Sequence, residues 1–397
     1  MIVGGGLAGL EAALYLGTVL GDDVSITMIS NRDRFVYRPF LTYLAFGLSP
    51  DRIEIDLEEF ATQHGIRLHV GTVESVDPQR RIVEFNGHSL AYDALILATG
   101  ARSVEEPIPG LRGGHTIWDR ADMLRLRERL TEEVERASPE RPTRVLFLVP
   151  PGNAWSGPVY ELAVMTASWL AEQGVRAAFD LQLITAEHRH VEAMGEKVGE
   201  RVADSLAFHG IHAQTGREAI RVEPGHVVFE EGTDAGFDIL INGAVYAGAG
   251  PVEGLPVDEE GFYRTRMENR ELQSIDRIYA VGDGSDFPVK QGFLALLQAD
   301  AAAEHIAARI LGRDPQFTFT ATLFWLMDEF DQVLFARGER DMVSADVDNF
   351  AAGKLRRLET MGYLPRQQRL GNPLYSGLLW KGTDIGLSLI KNLESDR

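Results

Sequence analysis

The chain has 397 residues, of which 45% are apolar, and this length favours two or three domains over a single hydrophobic core. Its 39 basic and 59 acidic residues give a net charge of −20, which disfavours nucleic acid and anionic lipid surfaces as partners. The sequence contains no cysteine, which excludes disulfides, thiolate catalysis and cysteine-ligated metals. Any redox chemistry therefore has to come from a bound cofactor.

The first residues form the pattern of a βαβ unit. Ile2 and Val3 predict a short strand, a glycine turn follows, and the apolar spacing predicts a helix over 7–20 and a strand over 24–30. In "VGGGLAGLE", Gly4, Gly6 and Gly9 match G-x-G-x-x-G after a strand and at the start of a helix. This arrangement is typical of a turn that lets a pyrophosphate approach backbone amides at a helix N-terminus.

The residue at the end of the second strand usually binds ribose in such units, and it is usually acidic. Here the strand ends at Ser30, whose hydroxyl is a weaker acceptor than a carboxylate, and Asp33 lies too far into the loop. Ser30 is a candidate ribose ligand, and a simple turn residue remains the alternative.

The later elements alternate between strands and helices. Strands are predicted around 66–92 and in "DALILATG", and a charged helix is predicted within 115–142. A second α/β unit begins at "TRVLFLVP" and ends near Gly250, after which "RIYAVGD" predicts a strand and an alanine-rich helix follows. We therefore predict one discontinuous domain over 1–112 and 256–312, a second over 113–255, and a C-terminal region over 313–397.

The glycine turn, the strand ending in Ala98-Thr99-Gly100 and the strand ending in Gly282-Asp283 occur in this order around a second α/β unit. Over about residues 1–312 the sequence resembles the FAD-dependent pyridine nucleotide-disulfide oxidoreductase superfamily, in its branch of sulfide:quinone reductases and type II NADH dehydrogenases. The resemblance implies an α/β fold with two Rossmann-like domains, each a three-layer ββα arrangement, and FAD held noncovalently by the discontinuous domain.

The resemblance also implies roles for individual residues. Asp283 would hydrogen-bond the ribitol chain, Gly282 would let the backbone approach the pyrophosphate, and Lys290 and Gln291 would lie beside the flavin pyrimidine ring. The remaining cofactor-binding positions carried over are Val73 at the adenine, Arg38 and Pro39 in the loop "VYRPF", and Thr99 and Gly100 after the buried strand. For Arg38 and Lys290, the alternative is a solvated surface side chain.

The loop "VPPGNAWSGP", residues 149–158, lies where a second nucleotide-binding turn would be expected. Proline has no amide proton, so Pro150 and Pro151 offer no donor to a phosphate, and Trp155 fills space that a pyrophosphate needs. Glu187, after the next strand, is the candidate ribose acid for NADH. The loop resembles the sulfide:quinone reductase type, in which the second unit binds no nucleotide.

In that branch a cysteine near this loop attacks sulfide, and without cysteine sulfide oxidation by that mechanism is excluded, so no catalytic residue is assigned. The candidates for the substrate face are Lys290, Trp155 and Tyr160, with packing between domains as the alternative for the two aromatic residues. His188 and His190 have poor spacing for a metal, and no metal site is predicted.

Near the C-terminus, Leu379, Ile385, Leu389 and Leu393 fall near one helical face. Peripheral membrane contact, a homodimer interface and packing on the core are the three roles left open for this stretch. The start lacks a signal peptide and no run of about 18 apolar residues occurs, so we expect a cytoplasmic protein, with attachment to the inner face of the membrane as the alternative.

The predicted function is that of an FAD-dependent oxidoreductase that passes electrons from a small-molecule donor to a quinone or another diffusible acceptor. Two alternatives remain open. The first is an NAD(P)H-dependent flavin reductase or dehydrogenase. The second is a flavoprotein that has lost turnover and acts as a binding subunit.

Overall fold

The structure is a computed structural model that describes residues 1–104, 107–250, 252–328, 332–341 and 354–365. In these ranges the α-helices are α1 (Leu7–Leu20), α2 (Leu41–Leu44), α3 (Leu57–Gln63), α4 (Arg120–Glu135), α5 (Gly157–Glu172), α6 (Glu196–Phe208) and α7 (Gly292–Leu311). The strands are β1 (Ile2–Val3), β2 (Thr27–Ser30), β3 (Arg34–Val36), β4 (Glu54–Asp56), β5 (Arg67–Val70), β6 (Val73–Asp77), β7 (Ile82–Phe85), β8 (His88–Ala91), β9 (Leu95–Leu97), β10 (Ala101–Val104), β11 (His115–Thr116), β12 (Thr143–Val149), β13 (Phe179–Thr185), β14 (His212–Gln214), β15 (Ala219–Glu223), β16 (His226–Phe229), β17 (Asp234–Gly236), β18 (Ile239–Asn242), β19 (Val245–Gly248), β20 (Ile278–Ala280), β21 (Thr322–Asp328), β22 (Gln332–Asp341) and β23 (Lys354–Pro365).

The first parallel sheet has the strand order β20-β9-β1-β2-β5. The two-residue strand β1 lies at its centre, where Ile2 pairs with Met28 of β2 on one side and with Ile96 of β9 on the other. All five strands run in the same direction, so the segments that follow β1, β2, β9 and β20 meet at one edge. These segments are the glycine turn, the residues after Ser30, the Ala98-Thr99-Gly100 segment and the Gly282-Asp283 segment.

The second parallel sheet has the order β11-β18-β12-β13-β14. Residues 145–149 of β12 are all nearly inaccessible to solvent, as expected for a central strand covered on both faces. The helix α5 packs against β12 and β13, and the loop of residues 150–156 joins β12 to it. The two parallel sheets confirm the predicted α/β fold with Rossmann-like units, while the domain boundaries remain predictions.

Smaller antiparallel sheets complete the described part of the chain. They are β6-β7-β8, β15-β16-β17, the pairs β3-β4 and β10-β19, and the sheet β21-β22-β23. The strand β10 follows β9 of the first parallel sheet, and β19 follows β18 of the second. The two strands pair with each other, from Ala101 opposite Gly248 to Val104 opposite Val245. This antiparallel ribbon therefore connects the two Rossmann-like units.

The strand β21 lies against α5. Leu323, Trp325 and Met327 are buried at every second position, which is the period of a strand with one face on the core. The predicted apolar helical face at Leu379, Ile385, Leu389 and Leu393 lies outside the described residues. None of the helices in the described ranges has the length and apolar character needed to cross a membrane.

A buried carboxylate on α7 joins this helix to α1 and to the segment that follows α7. The Glu304 side chain is fully buried and accepts hydrogen bonds from Arg313 Nη1 at 2.5 Å, the Tyr15 hydroxyl at 2.8 Å and the Gln316 amide at 2.6 Å. The Arg313 guanidinium is the largest cause that lowers the pKa of Glu304 to about 2. Because this pKa lies below that of the unfolded chain, ionised Glu304 stabilises the fold above about pH 4.5, and this stabilisation is lost as the pH falls towards 2.

We expect Glu304→Gln to lower the free energy of unfolding at pH 7 by about 1–3 kcal/mol, because the ionised acceptor of these hydrogen bonds is removed. The variant should also lose part of the dependence of stability on pH between about pH 5 and 2, measured by urea unfolding at a series of pH values. Glu200→Gln, an exposed change on α6, is the control and should leave stability within about 0.5 kcal/mol. Equal effects of the two substitutions would contradict the assignment.

Candidate functional site

A cavity of about 490 Å³ opens at the edge where β1, β2, β9 and β20 end. The glycine turn, the loop after β2, the segment after β9 and the loop before α7 form most of its wall. Residues of the second unit, Trp155, Pro158, Glu161 and Tyr246, and Trp325 of β21 complete it. The cavity therefore lies between the two Rossmann-like units, at the position where nucleotide-binding α/β sheets hold their ligands.

The three glycines of the first turn have different surroundings. Gly4 has φ of +113°, and a Cβ there would overlap the carbonyl oxygen of Ala98. A Cβ on Gly9 would overlap the carbonyl oxygen of Gly4, so this glycine lets α1 pack closely on the turn. A Cβ on Gly6 would meet nothing within 4 Å, because Gly6 faces the cavity. The turn is therefore tight on the protein side and open on the cavity side.

Gly6 is the N-cap of α1 and supplies no side-chain cap. The first amides of a helix have no intrahelical acceptor and carry partial positive charge, which suits an anionic group. Gly5, Gly6, Leu7 and Ala8 all line the cavity at this point. The open space and the uncapped amides fit a pyrophosphate.

Two of the residues predicted at the adenosine end have different positions. Ser30 lines the cavity, and its Oγ accepts a hydrogen bond from the Arg32 amide at 3.2 Å. Val73 lies at the start of β6, is partly buried and packs against the core around Val76 and Phe85, and it is not among the residues that line the cavity. Ser30 therefore lies in the cavity wall, whereas Val73 lies outside it.

Asp283 is a buried carboxyl group in the cavity wall. Burial is the largest influence on this carboxyl group and raises its pKa, while the charges of Lys290 and Arg38 act in the opposite direction. Gly282 has φ of +68°, and its amide donates to Gln298 Oε1 at 3.0 Å, which holds the loop in place. A buried carboxyl group at the cavity wall suits the hydroxyl groups of a ribitol chain, and this role of Asp283 remains a prediction.

Lys290 is buried, so its side chain is not a solvated surface group. Its Nζ donates to the carbonyl oxygens of Ser285 at 2.6 Å and Phe287 at 2.8 Å and lies 3.7 Å from the centre of the Phe262 ring. Burial lowers the pKa of Lys290 to about 8, and Asp283 is the largest opposing influence. Two of the three donors of the ammonium group are thus taken by carbonyl oxygens, and the Phe262 ring lies against the group as well.

Gln291 is buried and is the N-cap of α7, so the start of this helix lies at the cavity beside Lys290. The positive end of the α7 dipole and the ammonium group of Lys290 therefore act on the same part of the cavity.

Arg38 is half-buried and lies over the ring of Trp118. Its guanidinium carbon lies 4.2 Å from the centre of the Trp118 ring, and Trp118 packs edge-to-face on Tyr246 with ring centres 4.6 Å apart. Burial lowers the pKa of Arg38 and raises that of Tyr246. Pro39 lines the cavity next to Arg38, at the start of a single 3-10 turn.

The loop after β12 is held by its own hydrogen bonds. Asn153 Nδ2 donates to the carbonyl oxygen of Ala244 at 2.7 Å, and Asn153 Oδ1 accepts from the Trp155 amide at 3.1 Å. The Trp155 side chain is 7% exposed and lines the cavity. A Cβ on Gly157, the first residue of α5, would lie 2.7 Å from Trp155 Cζ2 and 2.9 Å from Trp325 Nε1. Two indole rings therefore cover the start of α5.

Glu187, the candidate ribose acid of the second unit, is bound by the protein itself. Its carboxylate accepts hydrogen bonds from Ser156 Oγ and the Tyr160 hydroxyl, both at 2.8 Å, from Thr185 Oγ1 at 3.0 Å and from the Glu192 amide at 3.0 Å. Burial raises the pKa of Glu187, and these hydrogen bonds oppose the increase. Both carboxylate oxygens of Glu187, which would have to accept hydrogen bonds from a ribose, thus already accept two hydrogen bonds each from the protein.

The structure places Tyr160, predicted as a candidate for the substrate face, in this polar cluster and not among the residues that line the cavity. Its side chain is completely buried in the second unit. Burial, followed by the charge of Glu187, raises its pKa well above the usual value. Of the three candidates for catalysis, Lys290 and Trp155 line the cavity.

Sequence reasoning missed several residues of the cavity wall. They are Thr42, Trp118, Glu161, Tyr246 and Trp325. Three of the five tryptophans of the chain, residues 118, 155 and 325, line this one cavity, although more than 200 positions separate the first from the last. No local motif connects them, so only the tertiary structure reveals the group. In the described part of the chain, no three histidine or acidic side chains are grouped as metal ligands.

The comparisons with known proteins agree with this geometry. Residues 1–304 match the pyridine nucleotide-disulphide oxidoreductase family. The chain is 26% identical to sulfide-quinone reductase of Aquifex aeolicus over 236 residues, which are 58% of this chain and 54% of that relative. It is 27% identical to demethylphylloquinone reductase NdbB of Synechocystis sp. over 336 residues, covering 79% of this chain and 80% of the relative.

The solved structure of the sulfide:quinone oxidoreductase from Aquifex aeolicus superimposes with a TM-score of 0.79 at 21% identity, covering 95% of this chain and 91% of that one. At this identity the superposition supports the fold, while the family match spans most of the chain. The chain thus belongs to the pyridine nucleotide-disulphide oxidoreductase family, whose members are flavoprotein oxidoreductases.

Proposed function

We propose that the protein is an FAD-dependent oxidoreductase that accepts electrons from a small-molecule donor and passes them to a quinone or another diffusible acceptor. The observation that carries the proposal is the single cavity that joins the open glycine turn at Gly6, the buried Asp283 and the start of α7 beside Lys290. Bound there, FAD would supply two-electron redox chemistry to a chain that has no redox-active cysteine of its own.

The residues of the cavity have separable roles in this proposal. The uncapped amides of α1 bind the pyrophosphate, and Asp283 accepts hydrogen bonds from the ribitol hydroxyl groups. Lys290 and the N-terminus of α7 place positive potential where negative charge accumulates on the reduced flavin ring. Trp155 and Trp325 exclude water from the neighbouring wall, at the side of the second unit.

The test starts from the absorbance spectrum of the purified protein and identification of any released flavin. Under anaerobic conditions, stoichiometric dithionite should bleach the flavin, and a neutral quinone such as menadione should restore its absorbance. Flavin that menadione fails to reoxidise would favour the alternative of a binding subunit. A colourless protein that does not take up FAD would overturn the proposal.

The geometry of the second unit argues against NAD(P)H as the electron donor. Glu187 is occupied by protein hydrogen bonds, and the indoles of Trp155 and Trp325 cover the start of α5. We expect that NADH and NADPH, each in large excess under anaerobic conditions, leave the flavin absorbance unchanged over the time in which dithionite bleaches it completely. Rapid bleaching by either nucleotide would instead support an NAD(P)H-dependent reductase.

A further inference from the structure

Arg270 is a buried cation with few partners to compensate its charge. Its side chain is 1% exposed, and its Nη2 donates to Asp286 Oδ1 at 3.2 Å. Other neighbours are the Met267 sulfur, 3.8 Å from Nη1, and the rings of Phe287 and Phe319, at 5.8 and 5.3 Å from the guanidinium carbon. Removing one partner of a buried ion pair is costly, yet the intact pair is often no more stable than well-packed apolar residues. Stability alone therefore gives no reason for an arginine at this position.

Asp286 joins two segments of backbone, residues 262–265 and 284–287. Its carboxylate accepts hydrogen bonds from the Thr265 amide at 3.1 Å and from Thr265 Oγ1 at 2.7 Å. Its own amide donates to the carbonyl oxygen of Tyr263 at 3.0 Å. The same carboxylate that carries the buried ion pair therefore holds the two segments side by side.

Lys290 is held by these same two segments. Its Nζ donates to the carbonyl oxygens of Ser285 and Phe287, the residues directly before and after Asp286. The ring of Phe262, which belongs to the other segment, has its centre 3.7 Å from Nζ. Because the peptide groups that contact the ammonium group flank the anchored carboxylate, the position of Lys290 depends on how Asp286 is held.

Arg270 acts from behind the cavity wall. Lys290 and Asp283 line the cavity, and Arg270 is not among the residues that do so. Burial is the largest influence on Lys290 and lowers its pKa to about 8. Three carboxylates raise this pKa and the charge of Arg270 lowers it, the carboxylates being those of Asp283, Asp286 and Asp258. Arg270 thus influences the ammonium group without reaching the cavity itself.

We propose that Arg270 is a positioning residue that acts through Asp286 to hold Lys290 at the cavity wall. The anchored carboxylate fixes the two carbonyl groups beside it, and these carbonyl groups orient the ammonium group. The inference deepens the proposed function and rests on it in one respect, because this ammonium group is the one assigned there to the reduced flavin ring. The position of the side chain is tested without any flavin.

The first measurement compares Arg270→Met with Arg266→Met in protein that carries no flavin. Arg266 belongs to the same stretch of chain and its side chain is 46% exposed, so the control makes the same change of charge at the surface. The chain has five lysines, so NMR of protein with isotope-labelled lysine side chains gives few signals, and Lys290→Arg identifies the signal of Lys290. The Phe262 ring shifts the ε protons of Lys290 upfield, and this ring-current shift depends on position and not on charge.

Arg270→Met should remove roughly half or more of the ring-current shift, because Asp286 loses its anchor and the Lys290 side chain moves away from the Phe262 ring. The pKa of Lys290, read from the same signals, should rise from about 8 towards its ordinary value of 10.5 as the ammonium group gains water. Arg266→Met should change neither property. Arg270→Lys, which retains a cation for Asp286, should recover part of the ring-current shift.

The second measurement follows the reduction potential of the flavin in FAD-loaded protein. A displaced ammonium group stabilises the reduced ring less, so Arg270→Met should weaken the binding of reduced flavin relative to oxidised flavin roughly tenfold. This corresponds to a potential about 30 mV more negative. A purely structural role for Arg270 would lower stability and leave the potential of the folded variant unchanged. Urea unfolding shows whether each variant is folded under the conditions of both measurements.

Two results would overturn the inference. They are Lys290 signals of folded Arg270→Met that coincide with those of the unmodified protein, and a potential that stays the same although Lys290 has moved. If Arg270→Met does not fold, the double variant Arg270→Met with Asp286→Asn takes its place, since it leaves no unpaired charge and still lacks the anchored carboxylate. If the unmodified protein takes up no FAD, the proposed function fails, while the NMR comparison still decides whether Arg270 positions Lys290.

Discussion

Gly9→Ala is expected to weaken FAD binding by a hundredfold or more, and the purified variant should be colourless. The added Cβ would overlap the carbonyl oxygen of Gly4 in the backbone of the turn, so α1 has to move away from the sheet edge and its amides leave the pyrophosphate position. A displacement that costs about 3 kcal/mol corresponds to roughly a hundredfold change in affinity. Titration of the apoprotein with FAD measures the effect.

Gly17→Ala is the matched control because it adds the same methyl group to the same helix. A Cβ on Gly17 would lie 3.8 Å from Ile26 Cδ1, an ordinary contact. This variant should bind FAD normally and gain about 0.5–1 kcal/mol of stability from the better helix propensity of alanine. If Gly9→Ala retains flavin as well as Gly17→Ala does, the role assigned to the close contact between α1 and the turn is wrong.

Arg270→Met is expected to lower the free energy of unfolding by about 3 kcal/mol, since it leaves Asp286 without its buried cation. The Arg270 side chain is 1% exposed, and its Nη2 lies 3.2 Å from Asp286 Oδ1. The guanidinium carbon also lies 5.3 Å from the centre of the Phe319 ring. Asp286 lies between Ser285 and Phe287, whose carbonyl oxygens accept the hydrogen bonds of Lys290. Denaturant unfolding gives the size of the loss.

The control for this prediction is Arg266→Met in the same segment. The Arg266 side chain is 46% exposed and forms an ion pair with Glu271 at 3.3 Å, so its removal should cost less than about 1 kcal/mol. The double variant Arg270→Met with Asp286→Asn should recover part of the loss, because no unpaired charge remains. Equal losses in the two single variants would show that burial of the Arg270 pair adds nothing to stability.

Local patterns in the chain were sufficient to predict most elements of the first sheet. The helix predicted over residues 7–20 is α1 with the same bounds, because its apolar spacing and the glycine turn before it are both local signals. The strand predicted over residues 24–30 is shorter in the structure, where β2 begins at Thr27. The family match and the two parallel sheets confirm the family resemblance and the α/β fold. Both could be predicted because the glycine turn and the Gly282-Asp283 segment are short motifs that occur in order along the chain.

The site was less predictable, for a different reason at each residue. Lys290 and Arg38 are polar side chains that composition alone assigns to solvent, and only the carbonyls of Ser285 and Phe287 and the ring of Trp118 explain their burial. Val73 and Tyr160 occur beside recognisable motifs, yet the direction of each side chain depends on packing against residues far away in the sequence.

The sequence by itself determined the fold class, the family and the absence of a cysteine relay, because these depend on short motifs and on composition. Only the tertiary structure decided what meets in the cavity, which is three tryptophans from distant segments with a buried lysine and aspartate. It also decided that Glu187, outside the cavity wall, is hydrogen-bonded by its own neighbours. The physical reason is that burial and hydrogen-bond partners depend on contacts between segments hundreds of residues apart, which local spacing does not encode.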